Sequence, residues 1–392
     1  NTVIASALTL CGPGRSAATR EAVRGFIDAF TGSWLSVDDA EADLTAYQVS
    51  DHLRELVVGP VPDPVAEAIL AGLAARGVTS MPLRWLAAQG EHPTQAGVSA
   101  AIVGTLIWRS LARKEISRTT AEQMPWWLEL FGTMIGAAAP VGGHTADAFC
   151  GIPMSQVYAA ASVTELAAAA LLGEPPDPGV LEGFEMLTGL LLTNGPGAIT
   201  AQGAKGAVSA DGPQSPERVQ LNKAMIGFLT HAGFAHGGNG FEGMAFLLER
   251  FRDTGLVDPS DSNHGIDLDA LARAFASEFA RRKVTRKEAG ADRATIPCIN
   301  HPVFKGKDVN VDPREEHVRM VMAERGEYNV FHDYYRRLVV SLKEEGATAN
   351  VFCVNVDALI ATLLLGMLWG RYRDGTFTER ELENAAFTAF LF

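Results

Sequence analysis

The sequence predicts an all-α fold, and three observations predict it. Alanine and leucine are abundant while β-branched runs are short, which favours helix over strand. Apolar residues recur at helical spacing, as in Ser16-Ala-Ala-Thr-Arg-Glu-Ala-Val-Arg-Gly-Phe-Ile-Asp-Ala-Phe30. The segments are separated by turns rich in glycine and proline, and Thr378-Glu-Arg-Glu381 has the capping-box pattern that starts a last helix.

Taken in order, residues 1–50 read as helix after a Gly12-Pro13-Gly14 turn. That turn could hold a phosphate at a helix start. It lacks the Lys-Ser/Thr ending of a P-loop, so an ordinary turn is the preferred reading. Val57-Val-Gly-Pro-Val-Pro62-Asp63-Pro64 and Leu171-Leu-Gly-Glu-Pro-Pro176-Asp177-Pro178 echo one another, each leading into a new helix. The echo has two readings, a degenerate repeat or a common way of joining helices. Residues 98–170 continue as apolar helices, broken at Pro140-Val-Gly-Gly-His144. His144 follows paired glycines but has no partner motif nearby and reads as a turn residue; Trp126 and Trp127 read as packing. Residues 258–269 are polar and loop-like, and a basic helix follows with Arg281-Arg282-Lys283-Val-Thr-Arg286-Lys287. Residues 314–346 read as two amphipathic helices, and 350–370 begin extended and become helix.

Composition narrows the function. The chain is 392 residues long, 47% hydrophobic and 20% charged, as expected of a globular protein with room for one large core or two domains. A net charge of -13 argues against a nucleic-acid partner, which needs a basic face. The four cysteines are far apart and form neither a CxxC pair nor a zinc pattern, so no metal site and no disulfide framework is expected. No basic n-region precedes an apolar core, and the greasiest stretch, Ala358–Trp369, is too short to span a bilayer. The expectation is a cytoplasmic protein with no membrane association.

Three stretches carry chemistry. The first is His231-Ala-Gly-Phe-Ala-His236-Gly237-Gly238-Asn239-Gly240-Phe-Glu242-Gly-Met, where glycines beside an imidazole allow a ligand close to the backbone. The second is Ile296-Pro-Cys-Ile-Asn-His301-Pro302-Val-Phe-Lys305-Gly-Lys307, continuing to Asp312-Pro313-Arg314. The third is Val354-Asn355-Val356-Asp357-Ala-Leu-Ile-Ala. Asp is rarely buried without a partner. Apolar neighbours would desolvate the Asp357 carboxylate and move it towards the range useful for acid–base work. The competing reading is an aspartate that only caps a helix.

In this order, His-Gly-Gly, then the second histidine with a following Asp-Pro-Arg, then Asn-Val-Asp, the chain resembles the citrate synthase superfamily. Asn355-Val-Asp-Ala-Leu-Ile-Ala, and Ile296-Pro before the second histidine, look closer to its citryl-CoA lyase branch, which includes the C-terminal part of ATP-citrate lyase. Thr164-Glu-Leu-Ala-Ala-Ala-Ala-Leu-Leu-Gly-Glu-Pro-Pro176 fits the same family. The resemblance covers roughly residues 155–392. It implies a two-domain helical fold, a large domain plus a smaller mobile one, in a homodimer or higher homo-oligomer. The expected organisation is a helical N-terminal region over 1–150 and a citrate-synthase-like region over 151–392, with the small domain at about 245–350.

The resemblance also implies roles. His236 would hydrogen-bond the thioester carbonyl, His301 the carbonyl of a 2-oxo acid or the product hydroxyl, and Asp357 would exchange a proton with the α-carbon of the thioester. Arg314 would grip a substrate carboxylate with its planar fork. Asn194 could donate to the 2-oxo acid, and Gly237, Gly238 and Asn239 would lie against substrate. Arg281, Arg282, Lys283, Arg286, Lys287, Lys305 and Lys307 flank the His301 motif and are the expected partners of the CoA phosphates. Coenzyme A enters as a thioester substrate, with no tightly bound cofactor.

The departures are specific. Asn300 stands where glycine usually precedes the second histidine, Pro302 where arginine is common, and Phe304 where tyrosine is usual. Thr193-Asn194-Gly195-Pro196-Gly197 replaces an Asp-His-Gly or His-Glu pattern. The first expectation is therefore a citryl-CoA lyase-like enzyme acting on an acyl-CoA and a 2-oxo or citrate-like acid. A citrate synthase-type acyltransferase is the alternative. The rival of another class is a catalytically silent CoA-binding or regulatory subunit, and a plain helical scaffold comes last.

Overall fold

The computed structural model describes residues 2–30, 49–191, 197–209, 212, 219–233, 238–288 and 295–389. Those residues form eighteen α-helices and two two-stranded antiparallel ladders. The all-α expectation therefore holds. No helix among the described residues is long and apolar enough to cross a membrane.

The chain divides into two compact units. Unit 1 comprises Asn1–Pro175 and Thr200–Thr230, and unit 2 comprises Pro176–Ile199 and His231–Phe392. The division expected from the sequence, at residue 150 with a smaller domain at about 245–350, stays a proposal beside this one.

Unit 1 begins with α1 (Thr2–Thr9), α2 (Ala17–Phe30), α3 (Asp51–Val57), β1 (Val58–Gly59), α4 (Pro64–Ala75), α5 (Met81–Ala87) and β2 (His92–Pro93). It continues with α6 (Gln95–Ala112), α7 (Arg118–Ala138), β3 (Ala148–Phe149), β4 (Ile152–Pro153), α8 (Met154–Ala159) and α9 (Val163–Leu172). A helix thus precedes the Gly12–Gly14 turn, which corrects the reading that helix starts after it. Apolar Ile4 and Leu8, one turn apart, bury the inner face of that helix. The core gathers around aromatic rings: Phe26 meets Trp85 edge-on at 5.5 Å, and Phe30 meets Trp108 at 6.0 Å. Trp126 is buried and donates from Nε1 to the Cys11 carbonyl at 2.8 Å, so it is a packing residue as read from sequence. His144 lies in a turn bridged to Phe149. The later pieces of the unit are α11 (Ile199–Ser209) and α12 (Leu221–His231), each running to a unit boundary.

Unit 2 consists of α10 (Pro178–Leu191), α13 (Gly238–Phe251), α14 (Leu268–Glu288), α15 (Pro313–Glu324), α16 (Val330–Glu344), α17 (Val356–Arg373) and α18 (Glu379–Ala389). Helix α17 is apolar on nearly every side, with Leu359, Ile360, Leu364, Leu365, Leu368 and Trp369 all buried, so it is the central element of the unit. Phe246 of α13 stacks on Tyr335 of α16 at 5.7 Å and meets Phe275 of α14 edge-on at 5.2 Å, joining the three helices through one aromatic cluster. The predicted capping box forms: Thr378 N–H donates to Glu381 at 2.7 Å, and Glu381 N–H donates to Thr378 Oγ1 at 3.3 Å.

The echoed loops share one device. Both α4 and α10 begin on a proline that follows aspartate, and Asp63 caps α4 through Val65 N–H and Ala66 N–H. The same device starts α15, where Asp312 precedes Pro313. An Asp–Pro helix start accounts for the likeness locally.

Candidate active site

The second and third stretches come together in unit 2 through their backbones. Asn300 N–H donates to the Cys353 carbonyl at 2.7 Å, and Asn355 N–H donates to the Cys298 carbonyl at 3.1 Å. Ile299 and Val354 form the bridge between them. The Asn355 side chain adds a bond from Nδ2 to the Asn300 carbonyl at 3.1 Å. The loop carrying His301 is thereby fixed to the entrance of α17.

Two residues of that loop have left-handed backbones, Cys298 at φ 68° and Asn300 at φ 69°. Asparagine is the residue that tolerates this region best after glycine. That gives a physical reason for Asn300 standing where the resemblance leads one to expect glycine. Its side chain then takes a local bond, accepting from His301 N–H at 3.0 Å.

Asn355 also settles what caps α17. Its Oδ1 accepts from Asp357 N–H at 3.0 Å and from Ala358 N–H at 3.3 Å. Asp357 is the second residue of the helix, within its first turn, and is not the N-cap. Its neighbours Val354, Ala358, Leu359 and Ile360 are buried, and Asp357 itself is half-buried.

His301 is half-buried, and its ring lies on that of Phe304 with centroids 4.7 Å apart and planes 27° from parallel. The Arg314 guanidinium lies 5.7 Å from the same Phe304 ring. Imidazole, phenyl and guanidinium therefore form a linked group. His301 Nδ1 accepts from Val303 N–H at 3.2 Å, which leaves Nε2 as the proton-bearing nitrogen of the neutral ring. That tautomer suits a hydrogen bond donated to a carbonyl oxygen.

Arg314 is placed differently from the sequence expectation. Its Nε and Nη2 already grip Asp312, at 3.0 and 2.7 Å, and the Asp312 side chain is fully buried. Asp312 raises the arginine's pKa against the opposing effect of burial, and Asp357 adds a weaker contribution. The free fork that would clamp a substrate carboxylate is thus occupied by a neighbouring aspartate. Nη1 has no hydrogen bond among the described residues and is the edge left for a ligand.

Helix α13 closes the group from another side. A Cβ on Gly240 would sit 3.1 Å from Ile360 of α17. A Cβ on Gly243 would collide with the Cys298 sulfur and sit 3.0 Å from Ala361. Burial pushes the Cys298 thiol well above the usual thiol range, with the Asp357 and Glu242 carboxylates adding to the effect. Cys298 thus sits near Asp357, beside the equally buried Tyr335 hydroxyl. Glu242, quoted in the first stretch without a role, belongs to this surround.

The remaining expected residues separate into groups. His236, Gly237 and Asn194 lie outside the described residues. Gly238 and Asn239 open α13, and Arg286 and Lys287 lie in the last turn of α14; only their backbones are described. Arg281, Arg282 and Lys283 are exposed on α14, with Arg282 paired to Glu278 and Lys283 Nζ donating to the Ala347 carbonyl at 2.7 Å. Lys305 and Lys307 are exposed. The Lys307 carbonyl accepts from Asn350 Nδ2 at 2.8 Å. The turn from Ala347 to Asn350 therefore touches both basic groups, one at each end.

Sequence reasoning missed a buried pair beside the site. His332 Nε2 lies 2.9 Å from Glu315 Oε1, both side chains being almost fully buried, and Arg336 lies 3.5 Å from the same oxygen. Nothing in the local sequence couples α15 to α16 at that point. No group of His, Cys, Asp and Glu among the described residues is arranged to hold a metal ion.

No family model matches the chain, and no curated protein matches it by sequence. Among solved structures it is similar to the citryl-CoA lyase of Hydrogenobacter thermophilus, at 16% identity over 62% of this chain and 78% of that chain, with a TM-score of 0.41. At that identity and score the likeness assigns no residue and no reaction.

Proposed function

We propose that unit 2 carries out carbon–carbon bond cleavage or formation between an acyl-CoA and a 2-oxo acid, with citryl-CoA lyase-like cleavage as the first reading. The supporting observation is the cross-bonding of the His301 loop to the entrance of α17, which holds a donor imidazole and a non-capping aspartate on adjoining backbone. Cleavage of citryl-CoA requires its tertiary hydroxyl to lose its proton as the carbon–carbon bond breaks. The electron pair then passes to the thioester as the enolate of acetyl-CoA. The hydroxyl proton passes to solvent water while His301 Nε2–H hydrogen-bonds the oxygen that becomes the oxaloacetate carbonyl, His236 hydrogen-bonds the enolate oxygen, and Asp357 delivers a proton to the α-carbon. Formation is the reverse, and the Nε2 proton of His301 then polarises the 2-oxo acid carbonyl. CoA phosphates lie against the basic residues that border the Ala347–Asn350 turn. A homodimer or larger homo-oligomer and a cytoplasmic location belong to the same proposal.

The silent CoA-binding subunit keeps one observation in its favour, the engagement of Arg314 by Asp312. One assay separates the readings. Purified protein is incubated with citryl-CoA, and separately with acetyl-CoA plus a panel of 2-oxo acids, and products are followed by mass spectrometry. Acetyl-CoA and oxaloacetate from citryl-CoA support the lyase; condensation products support the synthase. CoA-thioester binding with neither reaction supports the silent subunit.

A further inference from the structure

Unit 1 contains a cavity of about 560 Å³ bordered by α2, α6 and α7, within the size range of small-molecule sites. One end is polar, with Arg15, Ser16 and Thr19 at the start of α2; Ile102, Val103 and Leu128 supply an apolar wall. Ser16 stands at the N-cap position of the fourteen-residue α2, since Arg20 N–H donates to its carbonyl at 2.9 Å. A serine there normally accepts from the first-turn N–H groups. Ser16 does not: it is only 6% exposed, and its hydroxyl has no hydrogen-bond partner. The N–H groups of Ala18 and Thr19 are also left without partners among the described residues.

An idle buried hydroxyl costs free energy unless something else engages it. The groups on offer are donors: a hydroxyl and two backbone N–H groups at the positive end of a helix. The one carboxylate in the cavity wall, Glu129, is held by Arg15 Nε at 2.6 Å, so its charge is already matched. Arg20 lies over Trp126 at 5.4 Å and adds positive potential beside the same turn.

We infer that this cavity binds a small oxyanion carried on a short apolar chain, either a phosphate monoester or a carboxylate. The oxyanion takes the Ser16 hydroxyl and the free N–H groups of α2, and the chain lies along Ile102, Val103 and Leu128. The site is independent of the unit 2 chemistry.

Isothermal titration calorimetry on the full chain tests it, with hexyl phosphate, hexanoate and inorganic phosphate as probes. At least one of the two chain-bearing probes saturates one site per chain and binds roughly tenfold or more tighter than inorganic phosphate, because it buries apolar chain as well. The tighter of the two identifies the oxyanion. Ser16→Ala weakens that probe about tenfold or more, as expected for loss of a hydrogen bond to a charged group, while leaving Tm unchanged because no cap bond is lost. Ser16→Asp places a fixed carboxylate at the helix start, abolishes the binding and raises Tm. The proposal is overturned if neither chain-bearing probe binds saturably, which would leave a cavity for water alone. It is equally overturned if Ser16→Asp binds as the wild type does, or if Ser16→Ala lowers Tm as ordinary cap removal would.

Discussion

The segment from Cys298 to Arg314 and the basic end of α14 are neighbours in sequence and opposites in construction. The first contains almost no helix before Pro313, yet it is tied down throughout. Backbone bonds cross to Cys353 and Asn355, two residues stay left-handed, and Asp312 is buried under Arg314. The second is the end of a regular helix whose described basic side chains are exposed, with Arg282 paired to Glu278 and Lys283 donating to the Ala347 carbonyl. The difference separates two ways of meeting a ligand. A group that must sit within a fraction of an ångström of a reacting atom needs cross-links that forbid it to move. Charges that attract a polyanion act over a Debye length and can remain mobile.

That contrast can be broken by substitution, beginning with the most tightly held residue. Asp312→Ala removes both the α15 cap and the partner of a partly buried guanidinium, and should cost about 3 kcal/mol in urea unfolding. A loss below about 1 kcal/mol would mean that the pair is incidental. Gly243→Ala comes next, at about 2 kcal/mol, because the new methyl meets the Cys298 sulfur and Ala361. Combining it with Cys298→Ala should recover part of that loss, and strict additivity in the double-mutant cycle would deny the contact. Asn300→Ala should cost about 1 kcal/mol from backbone strain, whereas Asn300→Gly should stay within about 0.5 kcal/mol of wild type. Equal losses from both would show that the asparagine side chain, and not its backbone angle, is what matters. Smallest is Arg281→Gln with Arg282→Gln on the exposed helix face, within about 0.5 kcal/mol in stability. Its effect should fall on KM for the CoA thioester, and an unaltered KM would remove these residues from the nucleotide site.

The contrast also explains what could be read from the chain. Helices α15 and α16, and the switch from extended to helical chain before α17, follow from periodicity and caps within one window of sequence. The likeness of the loops before α4 and α10 was visible for the same reason, since an Asp–Pro start is local. What could not be read is long-range. The Ile299–Val354 bridge joins residues 55 positions apart, and the His332–Glu315 pair joins two helices whose facing sides sequence alone does not fix. The engagement of Arg314 by Asp312 lay in plain view in the Asp312-Pro313-Arg314 run. Asn355 held a clearer signal: Asn two residues before Asp357, at the start of an apolar run, is a better cap than Asp357 itself, and the structure uses it so.

The central claim is that Asp357 moves a proton at the thioester α-carbon. Because Asn355 supplies the cap, Asp357→Asn should fold with wild-type stability and still bind CoA thioesters. Deuterium exchange into the acetyl group of acetyl-CoA, measured with a 2-oxo acid present, then reads the chemistry directly. The account predicts exchange in the wild-type protein and a loss of about 10²–10⁴-fold in the Asn variant. Exchange at near wild-type rate in a folded Asp357→Asn protein would contradict it.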